Sequence, residues 1–532
     1  MLNKISLDGL YKGIMTDEII QNILDVVNAE YIEAFKYMIF NFPLHLISRS
    51  LTEERAIRDI IKEESLDFND YIGILRDYQT VAVGFMYLSM RSILGDGVGL
   101  GKTATTAGLL NYLYYKDNNE RFLMVVENTA ITQIHIEMIR FTGLRIIVLP
   151  SQTNKMERAI KTTDWRKVDG VITAHQALRS ALLSKWLSIY LTDDYKSKIF
   201  NTLILDESSA FKNNNTKIVE YTKNIVNIIP RVHFLNATTF ETNIMDIYNQ
   251  VNLLDDRVLP KRWEIEKLYC KFAKGTYWTK ENGRAVMKYK RDLIGYKNQD
   301  EFKKSLRLYY LGRSKTEKTH TYKVYKVIPS NEQMIALSKG HRHMEVLNCP
   351  ILIPELGIGM TRKYIPKLDK LVILIQKKFI DSKIMIYCFH IEAQKALKEE
   401  LLKIGRKSEI INGKVKEEDR WNIVNDFNSG ECDVLITNIQ KSLNLPGADV
   451  CIFYSFEANP ARMIQIAGRV DRNVDEKTKT YILLLYSGTD EFKLFVDVAQ
   501  ERSRYAKELI ASNERTTVDF FIEDLDNAEI LE

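Results

Sequence analysis

At 532 residues the chain is too long for one ordinary domain, and about 150 residues per domain suggests three or four units. Its hydrophobic (45%) and charged (27%) fractions match globular averages and exclude wholesale disorder. The greasiest runs, residues 122–126 and 481–486, are only strand length, so no membrane-spanning segment is expected. The net charge of +5 is unevenly spread: residues 261–323 carry 18 Lys/Arg against 7 acids, and residues 511–532 carry one Arg against 7 acids.

In chain order, residues 1–70 form a helical accessory region, with apolar spacing in EIIQNILDVV, and contain no legible motif. The first thirteen residues lack a basic-then-apolar signal pattern, which predicts a protein that stays in the compartment where it is made, the cytoplasm. Residues 71–260 alternate short apolar runs with amphipathic helices, the pattern of a parallel α/β sheet; strands are predicted at 91–94, 122–126, 170–174, 201–205 and 232–236. Residues 261–360 read as a basic, aromatic-rich insertion and linker. Interleaved cations and aromatics such as Trp263, Tyr277, Trp278 and Tyr289 suit a nucleic acid. A second α/β stretch covers 361–495, with strands predicted at 383–389, 408–411, 433–437, 450–454 and 481–486. Residues 496–532 are expected to form a helix and an acidic tail that is flexible at its end. The five cysteines are scattered with no CxxC pair, as expected for reduced structural thiols. The predicted fold class is therefore α/β: two parallel-sheet lobes in tandem.

The sharpest local signal is DGVGLGKT, comprising Asp96, Gly97, Val98, Gly99, Leu100, Gly101, Lys102 and Thr103, placed between an apolar run and a helix. Glycines let a loop turn its N–H groups toward phosphate oxygens, and the helix that follows adds the positive end of its dipole. Lys102 is expected to reach the β- and γ-phosphates of ATP, and the Thr103 hydroxyl to bind magnesium. The general phosphate-loop pattern has Gly where Asp96 stands. About 100 residues later, NTLILDESS ends an apolar strand in Asp206 and Glu207. At the carboxyl edge of a parallel sheet these suit magnesium binding and orientation of the attacking water, respectively. In the second stretch, NPARMIQIAGRVDR places Gln465, Arg469 and Arg472 at spacings of four and three, which on one helix share a face able to present arginines to a γ-phosphate.

Together these pieces resemble the superfamily 2 helicases, and within them the Swi/Snf-type translocases, from about residue 75 to 495 and in the family's order. LRDYQTVAV resembles the adenine-recognising segment, which implies nucleotide contacts from Arg76 and Gln79. DGVGLGKT matches the family's own phosphate loop, which also starts with Asp. VVENTAITQIHIE and VITAHQAL resemble the segments that touch a DNA backbone, implying Thr129 and Thr173; LITNIQKSLNLPGAD fits a further motif through Thr437 and Asn444. Arg313 fits the arginine of the basic link between lobes. The resemblance implies two RecA-like lobes with ATP between them, moving along double-stranded or branched DNA, displacing DNA-bound protein or a polymerase, and acting as a monomer. Where the family has His, this chain has Ser209, and Thr239 and Ser442 replace a proline and a glycine. The alternatives are a strand-separating DNA or RNA helicase, and an ATP-switched clamp that binds nucleic acid or polymerase.

Overall fold

The computed structural model describes residues 54–68, 75–97, 99–115, 120–191, 200–211, 217–236, 244–281, 284–306, 309–313, 320–350, 365–439, 443, 445–457, 460–470, 478–496, 521, 524 and 529–530. The chain parts into two compact units, the first made mostly of residues up to Arg313 and the second mostly of residues from Ser314 on.

The first unit is built on strands β1 (Arg91–Leu94), β2 (Phe122–Val126), β3 (Ile146–Leu149), β4 (Gly170–Ala174), β5 (Thr202–Leu205) and β6 (Arg231–Leu235). A ribbon follows, β7 (Cys270–Glu281) with β8 (Arg284–Tyr296), and then the short β9 (Tyr310–Leu311). Seven of these make one sheet in the order β3-β4-β2-β5-β6-β1-β9, with every pairing parallel. A parallel sheet is covered on both faces, which is why β2 is apolar at every position. Leu123 and Val125 enter one core, while Phe122, Met124 and Val126 enter the other. The helix Glu54–Glu63 packs into the second of these cores through Ile57 and Ile60.

The second unit repeats this plan with β10 (Thr321–Val327), β11 (Ile384–Tyr387), β12 (Ser408–Ile411), β13 (Val434–Thr437), β14 (Val450–Phe453), β15 (Thr480–Tyr486) and β16 (Glu529–Ile530). Their order is β12-β13-β11-β14-β15-β10-β16, again wholly parallel. At its heart Lys367 is fully buried, with its ammonium 2.9 Å from both Glu491 oxygens and 3.2 Å from the Tyr454 carbonyl. Burial lowers the Lys367 pKa, and Glu491 opposes that shift. All five cysteines are buried free thiols. No described helix is long and apolar enough to cross a membrane.

Three expectations change. The basic insertion is not a separate body: residues 261–313 belong to the first unit and β10 to the second. Tyr269, Cys270, Tyr296, Phe302 and Tyr310 anchor the former in the first core. The ribbon, β3, β9 and β10 are strands beyond those expected. The end of the acidic tail is docked rather than loose: Phe521 fills the second core, Asp524 accepts from the Val324 N–H at 2.7 Å, and Glu529–Ile530 pairs with Tyr325–Lys326.

A candidate nucleotide site and its supports

In the first sheet, β6 alone separates β1 from β5, so the carboxyl ends of β1 and β5 lie about 10 Å apart, two inter-strand spacings. The loop Gly95–Gly101 leaves β1 there, and the helix Lys102–Tyr115 begins at its end. Gly99 and Gly101 have φ of 85° and 79°, the left-handed region that side chains resist. A Cβ on Gly101 would also lie 2.6 Å from the Gln79 amide nitrogen. Lys102 Nζ donates to the Asp96 carbonyl at 2.8 Å and to the Gly97 carbonyl at 3.5 Å, so the ammonium is held over the loop at the head of a helix. Thr103 is half-buried beside it. A glycine cradle, a helix N-terminus and a positioned ammonium together fit a polyphosphate.

Gln79 is buried and engaged on both sides. Its Oε1 accepts from the Arg76 N–H at 3.0 Å, and its Nε2 donates to the Gly101 carbonyl at 3.4 Å. A carboxamide carries both N–H donors and oxygen lone pairs, the kind of group that can read a base edge. Arg76 caps the helix Asp77–Ser89, with its guanidinium 3.5 Å from the Tyr78 hydroxyl.

Asp96 does not face the phosphate cradle. It is fully buried, and its carboxylate takes both arms of Arg313, with Nε at 2.9 Å and Nη2 at 2.6 Å. A carboxylate aimed at a polyphosphate would repel it; paired with an arginine it becomes a brace. Arg313 also donates to the Tyr78 carbonyl and lies 5.2 Å over the Tyr78 ring. The backbone repeats the tie: the N–H groups of Ile93, Gly95 and Gly97 donate to the carbonyls of Tyr309, Leu311 and Arg313 at 2.5, 2.6 and 2.7 Å. The last segment of the first unit is therefore zipped along the phosphate loop, and Gly95 is needed because a Cβ there would strike the Tyr310 ring.

At the end of β5, Asp206 and Glu207 are half-buried in a tight turn. Glu207 has φ of 51°, a left-handed backbone that stores about 1–3 kcal/mol in a non-glycine residue. Its N–H donates to Asp206 Oδ1 at 3.0 Å. Beneath them, the buried Ser208 hydroxyl donates to Gln250 Oε1 at 2.6 Å, Asn236 meets the same oxygen at 3.5 Å, and His175 Nε2 sits 2.7 Å from the Asp206 carbonyl. Gln250 and His175 could not be foreseen as supports, because they lie 42 and 31 residues from the groups they touch. Thr103 offers a hydroxyl and Asp206 a carboxylate, oxygen ligands of the kind that magnesium takes.

In the second unit the predicted helix over 459–472 ends at Ala467, because the Arg469 and Val470 N–H groups turn back three residues to Ile466 and Ala467 rather than four. Gln465 is on the helix, nearly buried, and Arg469 lies in the turn after it. The Arg469 carbonyl accepts from the Leu445 N–H at 3.0 Å, fastening the two segments together. Val98, Asn444 and Arg472 lie outside the described residues.

Of the expected DNA contacts, Thr129 is half-buried in the turn after β2. Thr173 and Thr437 need correction. Both are wholly buried, the Thr173 hydroxyl donating to the Leu149 carbonyl at 2.8 Å and the Thr437 hydroxyl accepting from the Ile439 N–H at 2.9 Å. They shape loops and offer no surface to a phosphate.

One substitution tests the cradle directly. Gly101→Ala must hold a left-handed φ, costing about 1–2 kcal/mol, and also push against Gln79. Nucleotide binding, read by titration with a fluorescent ATP analogue, should weaken by about tenfold or more, since 1.4 kcal/mol is a factor of ten. An unchanged affinity would show that the loop does not cradle phosphate.

Residues 78–269 match the model of the SNF2-related domain, and residues 365–474 match that of the helicase conserved C-terminal domain. The chain is similar to the DNA repair protein rhp54 of Schizosaccharomyces pombe, 22% identical over 81% of this chain and 58% of the relative. It is also similar to the chromodomain-helicase-DNA-binding protein 7 of Homo sapiens, at 22% identity over 85% of this chain and 16% of that one. A solved structure described as the Sulfolobus solfataricus SWI2/SNF2 ATPase core in complex with dsDNA is 16% identical, with a TM-score of 0.39, covering 86% of this chain and 97% of its own. The chain thus spans a little over half of the yeast relative and about a sixth of the human one. With both domains matched, in order and over more than half of its length, the chain belongs to the superfamily 2 helicases of the Snf2 type.

Proposed function

We propose that the protein is an ATP-driven translocase on double-stranded DNA that remodels branched DNA or displaces bound protein. The observation that carries this reading is that the phosphate loop and the Asp206–Glu207 pair leave the same carboxyl edge of one parallel sheet. The second unit, of the same plan, carries Gln465 on the helix Pro460–Ala467 and Arg469 just after it. Magnesium, when bound, would neutralise the charge that develops on the transferring phosphoryl group. Thr103 and Asp206 would hold it. Lys102 would exchange its two neutral carbonyl partners for phosphate oxygens, a stronger charge-assisted contact. Glu207 would orient the attacking water, in a turn whose geometry is fixed from below by Ser208 and Gln250. Arg469 and Arg472 would stabilise charge on the transferring phosphoryl group, a role worth roughly 10³–10⁵ in rate where it operates. Arg76 and Gln79 would contact the base, and Thr129 and Asn444 the DNA backbone.

Relatives named for DNA repair and for DNA binding support DNA rather than RNA as the track. ATP turnover should rise on adding duplex DNA, and that stimulation should fall steeply with salt, since each phosphate contact contributes about 0.9 to the logarithmic salt slope. Equal turnover with DNA, RNA or no nucleic acid would overturn the translocase reading. Release of a labelled strand from a fork, with no displacement of a bound protein, would replace it with strand separation.

A further inference from the structure

The ribbon β7–β8 pairs with no other described strand. Only its root meets the core, where Cys270 and Tyr296 are buried and Phe272 and Leu293 pack part-buried. Isolated two-stranded ribbons are marginal in water, yet this one continues for about 40 Å at 3.3 Å per residue. It carries seven Lys/Arg against two acids.

The charges are sorted by face. Directly paired residues of an antiparallel ribbon share a face, and faces alternate along each strand. The register pairs Lys274 with Arg291, Thr276 with Tyr289, Trp278 with Met287 and Lys280 with Ala285. That face thus holds three cations, two large aromatics and no acid. Both acids fall on the other face, Asp292 opposite Ala273 and Glu281 opposite Arg284, so that face, with Arg284, Lys288 and Lys290, keeps one net positive charge against three on the acid-free face. At the root of the acid-free face the Arg291 guanidinium lies 4.0 Å over the Phe272 ring and 3.7 Å from Glu266. Lys274, Thr276, Met287 and Arg291 are exposed.

We infer that the acid-free face of this ribbon seats against duplex DNA, with Lys274, Lys280 and Arg291 meeting phosphates along a groove. The major groove, about 12 Å wide, admits a two-stranded ribbon. The inference rests on the reading of the chain as a duplex translocase and adds the surface that grips the track. Lysines also protect unpaired strand edges from aggregation, but edge protection does not explain why both acids are kept to one face.

The test compares two double variants of the full chain. Lys274→Ser with Lys280→Ser removes two cations from the acid-free face; Lys288→Ser with Lys290→Ser removes two from the other. Binding of a blunt labelled duplex is followed by fluorescence anisotropy across a salt series without nucleotide. The first variant should lower the slope of log affinity against log salt by about 1.8, two phosphates at about 0.9 each, and lose about tenfold or more in affinity at low salt. The second should keep the parental slope, and DNA-independent ATP turnover should be unchanged in both. Parental slopes in both variants, or equal losses in both, would overturn the ribbon assignment while leaving the translocase reading intact. Failure of the parent chain to bind duplex at all would overturn both.

Discussion

Lys102→Ala is expected to reduce ATP turnover by at least roughly 10²–10³-fold, the effect of removing one preorganised electrostatic donor from a transferring group. The protein's melting temperature should hardly move. Two structural consequences of the substitution oppose each other. The variant loses the bonds from Nζ to the Asp96 and Gly97 carbonyls, about 0.5–1.5 kcal/mol each. It also removes a positive charge from the N-terminus of the helix Lys102–Tyr115, where the dipole disfavours it by about 0.3–1 kcal/mol, and it introduces the best helix former. A cation placed against the dipole, over a glycine cradle, is positioned for an anionic ligand. Steady-state turnover with a thermal melt separates the cases: a large loss of both would mean that Lys102 holds the fold, and retained turnover would remove the phosphate loop from the mechanism.

Residues that stand at the ends of apolar runs were legible in the sequence, and residues that meet across long separations were not. The strands 122–126 and 170–174 coincide with their expected limits because a strand buried on both faces is written as a largely apolar run, and 91–94 and 408–411 coincide as well, the latter with only two of its four residues buried. β3 (IIVL) is as apolar as the strands that were expected, so its sequence carried a signal of the same kind. β10 (TYKVYKV) escaped because two lysines interrupt its apolar residues on a half-buried strand. The ribbon had a readable sign, Asn282–Gly283 between two runs of alternating residues, the commonest signal of a two-residue hairpin turn. Its positive charge drew attention away from its periodicity. Thr173 and Thr437 show the opposite error: the motif position was legible, but whether its hydroxyl faces solvent or a neighbouring carbonyl depends on register with the adjacent strand.

The Asp96–Arg313 pair is the part of the site that no sequence pattern foretold, with 217 residues between its members. Breaking it should have the largest effect on stability of any single change at the loop. Arg313→Ala leaves a fully buried carboxylate without its bidentate partner, and Asp96→Ala leaves a mostly buried guanidinium without the carboxylate that takes both its arms. Each should cost about 3–5 kcal/mol by the usual penalty for an uncompensated buried charge. Nucleotide affinity should fall in both, because the pair holds the start of the phosphate loop against the helix that carries Gln79. The double variant Asp96→Ala with Arg313→Ala removes both charges, so its stability loss should be well short of the sum, with a coupling energy of about 1–3 kcal/mol in a denaturant-unfolding cycle. Because the backbone bonds from Gly95 and Gly97 to Leu311 and Arg313 survive all three substitutions, the double variant should still bind nucleotide, more weakly than the parent and better than either single. Additive stability losses would mean that the two residues act separately. Parental nucleotide affinity in every variant would reduce the brace to a feature of folding alone.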